Sequence, residues 1–266
     1  MAALIATYGG RPLVAPAMRE IALDSNTAAI ECIAALRKDE FDMVIFLTGV
    51  GTRALAAIAE TTSSREEFAD ALRRVRVVAR GPKPAAALKE LGVAANLTVP
   101  EPNTWRELLA TLDRELPPLA LRGMRVAVQE YGAPGEDLLA GLRERGAIVA
   151  RVPVYRWALP DDVKPLRAAI QSAVAGEIGA ALFTTSVQIA HLFQVAHEMG
   201  MEDSLQSALK RCFVASIGPT TSEELNRRGL LPDLEATHPK MGMLVKEASD
   251  KCGELLRAKQ GANPAR

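Results

Sequence analysis

The sequence predicts an α/β protein made of two similar parallel-sheet domains that arose by internal duplication. Short apolar runs alternate with amphipathic segments along the whole chain, which is the pattern of parallel strands covered by helices. Two of those runs end in a glycine-proline corner, in "VARGPKPAAALKELG" at 78–92 and "ASIGPTTSEELNRRG" at 215–229. The corners belong to a series. Gly81 and Gly218, Gly92 and Gly229, Pro102 and Pro239, Phe46 and Phe183, Thr48 and Thr185, and Leu55 and Leu192 all stand 137 positions apart. A gapless register that also agrees in strand and helix placement marks a duplication.

The predicted strands are "RPLVAP" 11–16, "MVIFLT" 43–48, "RVRVVA" 74–79, "VAANLTV" 93–99, "MRVAVQEY" 124–131, "AIVARVPVY" 147–155, "AALFTT" 180–185, "CFVASI" 212–217 and "LPDLEA" 231–236. Each is a short apolar run set between helical segments. Helices fill the gaps. "SNTAAIECIAALRKD" opens on the cap signal Ser25-Asn26, and "PAAALKELG" begins at Pro84 and stops at Gly92.

The same shift carries "AMREIAL" 17–23 onto "VYRWALP" 154–160, with Arg19 over Arg156, while one residue less carries Gly10 onto Gly146. In the second copy a strand and helix, "MRVAVQEYGAPGEDLLAGLRERG", precede that glycine, whereas the first copy has only "MAALIATYGG". The first strand of the first domain is therefore expected to be missing, either because the start lies inside a longer gene or because the sheet is damaged. In a wound sheet that strand is central, so its loss leaves backbone groups unpaired at a cost of roughly several kcal/mol.

Composition narrows the function. The 266 residues hold 32 Lys and Arg against 32 Asp and Glu, so no net field argues for a nucleic acid or an anionic membrane surface as partner. Any anionic ligand must be held by local groups. No apolar stretch approaches a bilayer span and Met1 is followed by no leader-like region, which predicts a cytoplasmic protein. Cys32, Cys212 and Cys252 are far apart and odd in number, as expected of reduced thiols rather than a disulfide frame. His191 and His197 do not share a helical face, so no metal site is expected.

Taken in order, "VIFLTGVGTRAL", "VVARGPKPAAALKELG", "VPVYRWALP", "ALFTTSVQIAHLF" and "ASIGPTTSEELNRRGLLPDLEATHPKMGMLVKEA" resemble the uroporphyrinogen-III synthase family over nearly the whole chain. The resemblance implies two flavodoxin-like domains. One is discontinuous, residues 1–20 plus 161–266; the other is 26–153; linker strands at 16–24 and 153–161 join them, with a cleft between. It implies a monomer that needs no cofactor, takes a small linear tetrapyrrole, and cyclises hydroxymethylbilane with loss of water and inversion of ring D. The substrate ionises its own hydroxymethyl group, so the protein's part is positioning and electrostatic stabilisation of an eight-carboxylate chain.

On that reading Tyr155 is the catalytic candidate, helping the hydroxyl depart as acid or hydrogen-bond donor. Substrate-binding candidates are Thr48, Gly49, Val50, Gly51, Gly81, Lys83, Thr104, Arg156, Thr185, Ser186, Gly218, Thr220 and Thr221, with Arg19 and Lys240 behind them. A Gly-Pro corner at a strand end turns backbone N–H groups outward at a helix start, where an anion is favoured. Each candidate also has a plainer reading. Thr220 and Thr221 can be helix caps, Tyr155 a packed hinge ring, and the arginines solvated charges. The first copy has Met18 at the position of Tyr155, and Met241 stands where Thr104 has its counterpart. The loop Thr184-Thr185-Ser186-Val187-Gln188 keeps short hydroxyls but lacks the family's glycine, and "TGVGT" is an incomplete dinucleotide fingerprint. A noncatalytic binding or regulatory module on the same fold is the alternative function.

Overall fold

A computed structural model of the chain describes residues 1–23, 25–117, 119–130, 132 and 135–261. Tyr131, the end of the predicted strand 124–131, and Asp24, in the predicted linker 16–24, fall outside them. The chain divides into two compact units, Glu20–Trp157 and a discontinuous one of Met1–Arg19 with Ala158–Arg266.

In the continuous unit the strands are β2 (Met43–Phe46), β3 (Arg76–Ala79), β4 (Leu97–Thr98), β5 (Arg125–Gln129) and β6 (Ile148–Val152), preceded in the chain by β1 (Arg19–Ile21). They form one parallel sheet in the order β4-β3-β2-β5-β6. All four residues of the central β2 are buried, as a strand covered on both faces requires. One face packs on α2 (Thr27–Arg37), α3 (Gly49–Ala59), α4 (Arg65–Arg74) and α5 (Pro82–Glu90) through Ile33, Leu55, Phe68, Leu72 and Leu88. The other packs on α6 (Trp105–Glu115) and α7 (Glu136–Glu144) through Leu108, Leu112, Leu138 and Leu142. Each such side chain removed from water contributes about 1.5–3 kcal/mol.

The discontinuous unit begins with α1 (Ala2–Thr7) and resumes after β7 (Arg156–Ala158). Its sheet has the order β10-β9-β8, from β8 (Ala180–Phe183), β9 (Phe213–Ser216) and β10 (Leu234–Glu235), again parallel. Helices α8 (Lys164–Val174), α9 (Ser186–Glu198), α10 (Glu202–Arg211) and α11 (Pro219–Arg227) cover one face, and α12 (Met241–Gly261) covers the other.

The duplication holds one register for much of the backbone. Adding 137 to the bounds of β1, α2, β2, α4, β3, α5 and β4 yields those of β7, α8, β8, α10, β9, α11 and β10. Hydrogen bonds repeat too. Asn96 Oδ1 accepts from the Val77 N–H at 2.6 Å, and Asp233 Oδ2 accepts from the Val214 N–H at 2.8 Å. These side-chain rungs stand just ahead of β4 and β10 and help explain why the predicted strands 93–99 and 231–236 shrink to two residues each.

Two expectations need correction. The glycine equivalent to Gly146 (φ +85°) is Gly9 (φ +80°), not Gly10, so the register has no gap at this turn either. Matching bonds follow, Gly9 N–H to Ala6 O and Gly146 N–H to Arg143 O. The second concerns residues 11–16, which form no strand. Their counterpart β6 pairs with β5, and among the described residues no strand stands beside β8 in the place of β5. Without a ladder partner the segment joins no sheet, and Leu13 and Val14 are exposed. Three of the four β8 residues are only half-buried, unlike those of β2. The two connecting strands β1 and β7 pair with each other as a two-stranded sheet.

Candidate active site

The carboxyl ends of β2, β3 and β5 form the rim of the continuous unit. After Phe46 the chain leaves the sheet, and Thr48 turns it into α3. The Thr48 backbone is extended (φ −143°, ψ 149°), and its hydroxyl caps the helix by accepting from the Gly51 N–H at 3.0 Å. Its other groups are engaged as well. The Thr48 N–H donates to Gln129 Oε1 at 3.3 Å, and its carbonyl accepts from the Thr52 N–H at 2.9 Å and the Thr52 hydroxyl at 2.7 Å. The Thr48 hydroxyl also lies 3.3 Å from the Tyr155 hydroxyl, although the two residues are 107 apart in sequence.

Tyr155 is only 3% exposed and belongs to the core of the continuous unit. Its ring meets Trp157 edge-on at 5.3 Å, and both rings close over Gly132, where an added Cβ would come within 2.6 Å of Tyr155 Cε2. The phenol is thus held by packing on its body and by Thr48 at its tip.

The first turns of α3 and α5 adjoin on this rim. A Cβ on Gly49 would stand 2.7 Å from the Lys83 carbonyl oxygen, so glycine is what lets the two helix starts approach. Two helix amino ends side by side concentrate positive potential where β2 and β3 finish. Val50 and the Lys83 side chain are exposed there, and Gly49, Gly51 and Gly81 are buried. Gly81 (φ +152°) is backed by the Asn103 side chain, which donates to the Val99 carbonyl at 2.8 Å. Thr104 is 6% exposed and caps α6 in a reciprocal box with Glu107, whose carboxylate takes both its N–H and its hydroxyl.

The rim of the discontinuous unit repeats the backbone and changes the side chains. Thr185 caps α9, accepting from the Val187 N–H at 3.4 Å, with Ser186 half-buried beside it. Gly218 (φ 163°, ψ −178°) precedes Pro219 with nearly the dihedrals of Gly81. Thr220 is exposed, whereas Thr221 is 3% exposed and its N–H already donates to the Gly218 carbonyl at 3.0 Å. Beneath them Ser216 and Ser222 share a hydrogen bond of 2.5 Å, and Ser222 donates to Glu235 at 2.5 Å. In place of Gly51 stands Gln188, whose Oε1 accepts from the Thr184 N–H at 2.9 Å and the Thr184 hydroxyl at 3.2 Å.

The candidate arginines divide. Arg19 donates to the Leu159 carbonyl at 3.2 Å and pairs with Asp161 at 2.8 Å, so its guanidinium is engaged beside β7. Arg156 is exposed on β7, and Lys240 is exposed ahead of α12. Among the described residues no cluster of His, Cys, Asp or Glu could hold a metal ion, and no helix is long and apolar enough to cross a membrane.

A family model of uroporphyrinogen-III synthase HemD matches residues 1–246. The chain belongs to the uroporphyrinogen-III synthase family. A uroporphyrinogen-III synthase of Thermus thermophilus, crystallised as a mutant, superposes on this member of the family with a TM-score of 0.70 at 26% identity, covering 96% of this chain and 94% of that one. The wild-type protein in another crystal form gives 0.55 at the same identity. A Methanothermobacter thermautotrophicus protein, provisionally named a uroporphyrinogen-III synthase, is 32% identical over 228 residues, 85% of this chain and 84% of its own. YjjA of Bacillus subtilis (strain 168), named only as uncharacterized, is 29% identical over 245 residues, 92% of this chain and 88% of its own. Two amides beside the site, Gln129 and Gln188, are not distinguished by the sequence. Both look like ordinary polar residues beside a strand end, and only the fold brings them onto threonine backbones.

Proposed function

We propose that the chain acts as a uroporphyrinogen-III synthase, closing hydroxymethylbilane to a macrocycle with inversion of ring D and loss of water. The observation that carries this reading is the Thr48–Tyr155 hydroxyl pair at the strand ends of the continuous unit, beside the adjoining helix starts of α3 and α5. A phenol whose oxygen is met by a second hydroxyl can donate its proton to the departing hydroxyl while the threonine steadies the developing phenolate. The substrate supplies the electron push through its own pyrrole nitrogens, so no cofactor enters the scheme.

Recognition of the carboxylates falls to backbone N–H groups at Gly49, Val50, Lys83, Ser186 and Thr220, with the hydroxyls of Thr185, Ser186 and Thr220 and the charges of Lys83 and Arg156 adding to them. Gly51, Gly81 and Gly218 shape these turns, and Thr104 and Thr221 support them from below. We further expect a cytoplasmic monomer, in line with balanced charge and reduced thiols.

The test supplies enzymatically generated hydroxymethylbilane and resolves the porphyrin isomers after oxidation. Spontaneous closure yields type I. An excess of type III is the expected result; type I alone overturns the enzymatic reading and leaves a noncatalytic binding module on the same fold.

A further inference from the structure

Gln129 is the last residue of β5 and is fully buried. The backbone of β5 continues beyond it to Glu130, whose N–H donates to the Val152 carbonyl, away from β2. The ladder between β2 and β5 therefore ends at Phe46 opposite Gln129, leaving the Thr48 N–H without a strand partner. The Gln129 side chain supplies it. Its Oε1 accepts that N–H, and its Nε2 donates to the Glu130 carbonyl, so the amide is fixed at both ends. Gly51 lies over the carboxamide with no room for a Cβ. A neutral, doubly bonded, fully buried amide is a rigid support for whatever it holds, and it holds Thr48.

We propose that Gln129 is a positioning residue for the reaction, acting through Thr48 to aim a hydroxyl at Tyr155. The inference rests on the reading of Tyr155 given above. With its N–H held by Gln129 and its carbonyl by Thr52, the Thr48 backbone is fixed, and the Gly51 N–H donated to its hydroxyl at 3.0 Å keeps that oxygen beside the phenol. The other copy carries different side chains at these positions. In the discontinuous unit Met18 stands for Tyr155 and Gln188 for Gly51, and the amide of Gln188 serves Thr184 instead.

The test is a double-mutant cycle on the full chain with Gln129→Met, which keeps volume and removes both amide bonds, and Tyr155→Phe. Rates of type III formation and KM are measured for all four proteins. Each single change is expected to lower kcat about tenfold or more with KM within about threefold, and the double variant to be no slower than Tyr155→Phe alone within about twofold. The Tyr155 ionisation step, assigned from the ultraviolet difference between wild type and Tyr155→Phe, is expected to move to higher pH in Gln129→Met, because the phenolate loses an oriented donor. Multiplicative losses in the double variant, or an unmoved ionisation, overturn the positioning role while leaving Tyr155 as the acid. A wild-type rate in Tyr155→Phe removes the acid itself and the positioning role with it. Should Gln129→Met fail to fold by circular dichroism, Gln129→Leu, which also removes both amide bonds, takes its place in the same cycle, and the same results support or overturn the role.

Discussion

Gly51 and Gln129 occupy adjoining space so tightly that a single methyl group on the glycine would overlap the buried carboxamide, with Gln129 Oε1 only 2.7 Å from it. In the other copy the position of Gly51 is Gln188, and there the amide comes from the helix itself. That amide serves Thr184, the counterpart of Leu47, so the two glutamines hold different positions of the two strand ends.

Gly51→Ala is therefore expected to destabilise the protein by about 1–3 kcal/mol, the usual cost of forcing an extra carbon into a packed site. Gly51 lies in the first turn of α3, where alanine would otherwise be preferred over glycine by up to about 1 kcal/mol. Overlap is expected to win because Gln129 is held at both ends. A lower urea midpoint than wild type checks it; a midpoint raised by the change would show that the amide swings aside freely.

Thr104→Ala removes a helix cap whose hydroxyl and N–H both engage Glu107. The expected loss is about 1 kcal/mol in chemical denaturation, with Thr104→Ser close to wild type because serine caps as well as threonine. Equal losses for both variants would point to the threonine methyl rather than the cap.

Asp113 on α6 receives a two-pronged hydrogen bond from Arg145, both distances 2.7 Å, and this contact holds its carboxyl below the ordinary aspartate value of 3.8. A depressed folded-state pKa means that the pair's stabilisation is present above the unfolded value and disappears as pH falls through the folded one. Asp113→Asn is thus expected to lose a fraction of a kcal/mol at neutral pH, since Asp113 is half exposed and solvent screens the pair. Only once the pH has fallen below the depressed folded value should the two proteins unfold alike. A difference that persists in acid would have to come from something other than charge.

Cys32 sits 4% exposed in α2, and burial pushes its thiol up to about 12. A thiol so protonated and so enclosed is a poor nucleophile. Alkylation of the native protein at neutral pH is expected to reach half-buried Cys252 before Cys32, with Cys32 reacting only at the rate of unfolding. Mass spectrometry of a labelling time course decides it, and early modification of Cys32 would mean that α2 opens locally.

Thr48 and Tyr155 are distant in the chain but adjacent in the fold. Thr48 and Tyr155 are readable as candidates because the family resemblance runs through "FLTGVG" and "VPVYRW", and their contact adds a physical reason to consider them together. Gln129 is not readable. In "MRVAVQEY" it sits at the end of an apolar run, where a polar residue usually faces solvent, and nothing local says that the backbone one strand away ends there in an unpaired donor. Thr104 and Thr221 show the opposite case, since hydroxyls that suit an anion are here turned inward, one into a capping box and one into a buried first turn.

By itself the sequence determined the parallel α/β class, the duplication at a spacing of 137 residues and the Gly-Pro corners, because periodicity and turn chemistry are local and survive without knowledge of neighbours. Only the tertiary structure decided that residues 11–16 would lie unpaired, that the two connectors would form a ladder, and that an amide from β5 would brace Thr48. Strand pairing and buried hydrogen bonds are agreements between distant segments, and a segment read alone carries its own donors and acceptors but not those of its partner.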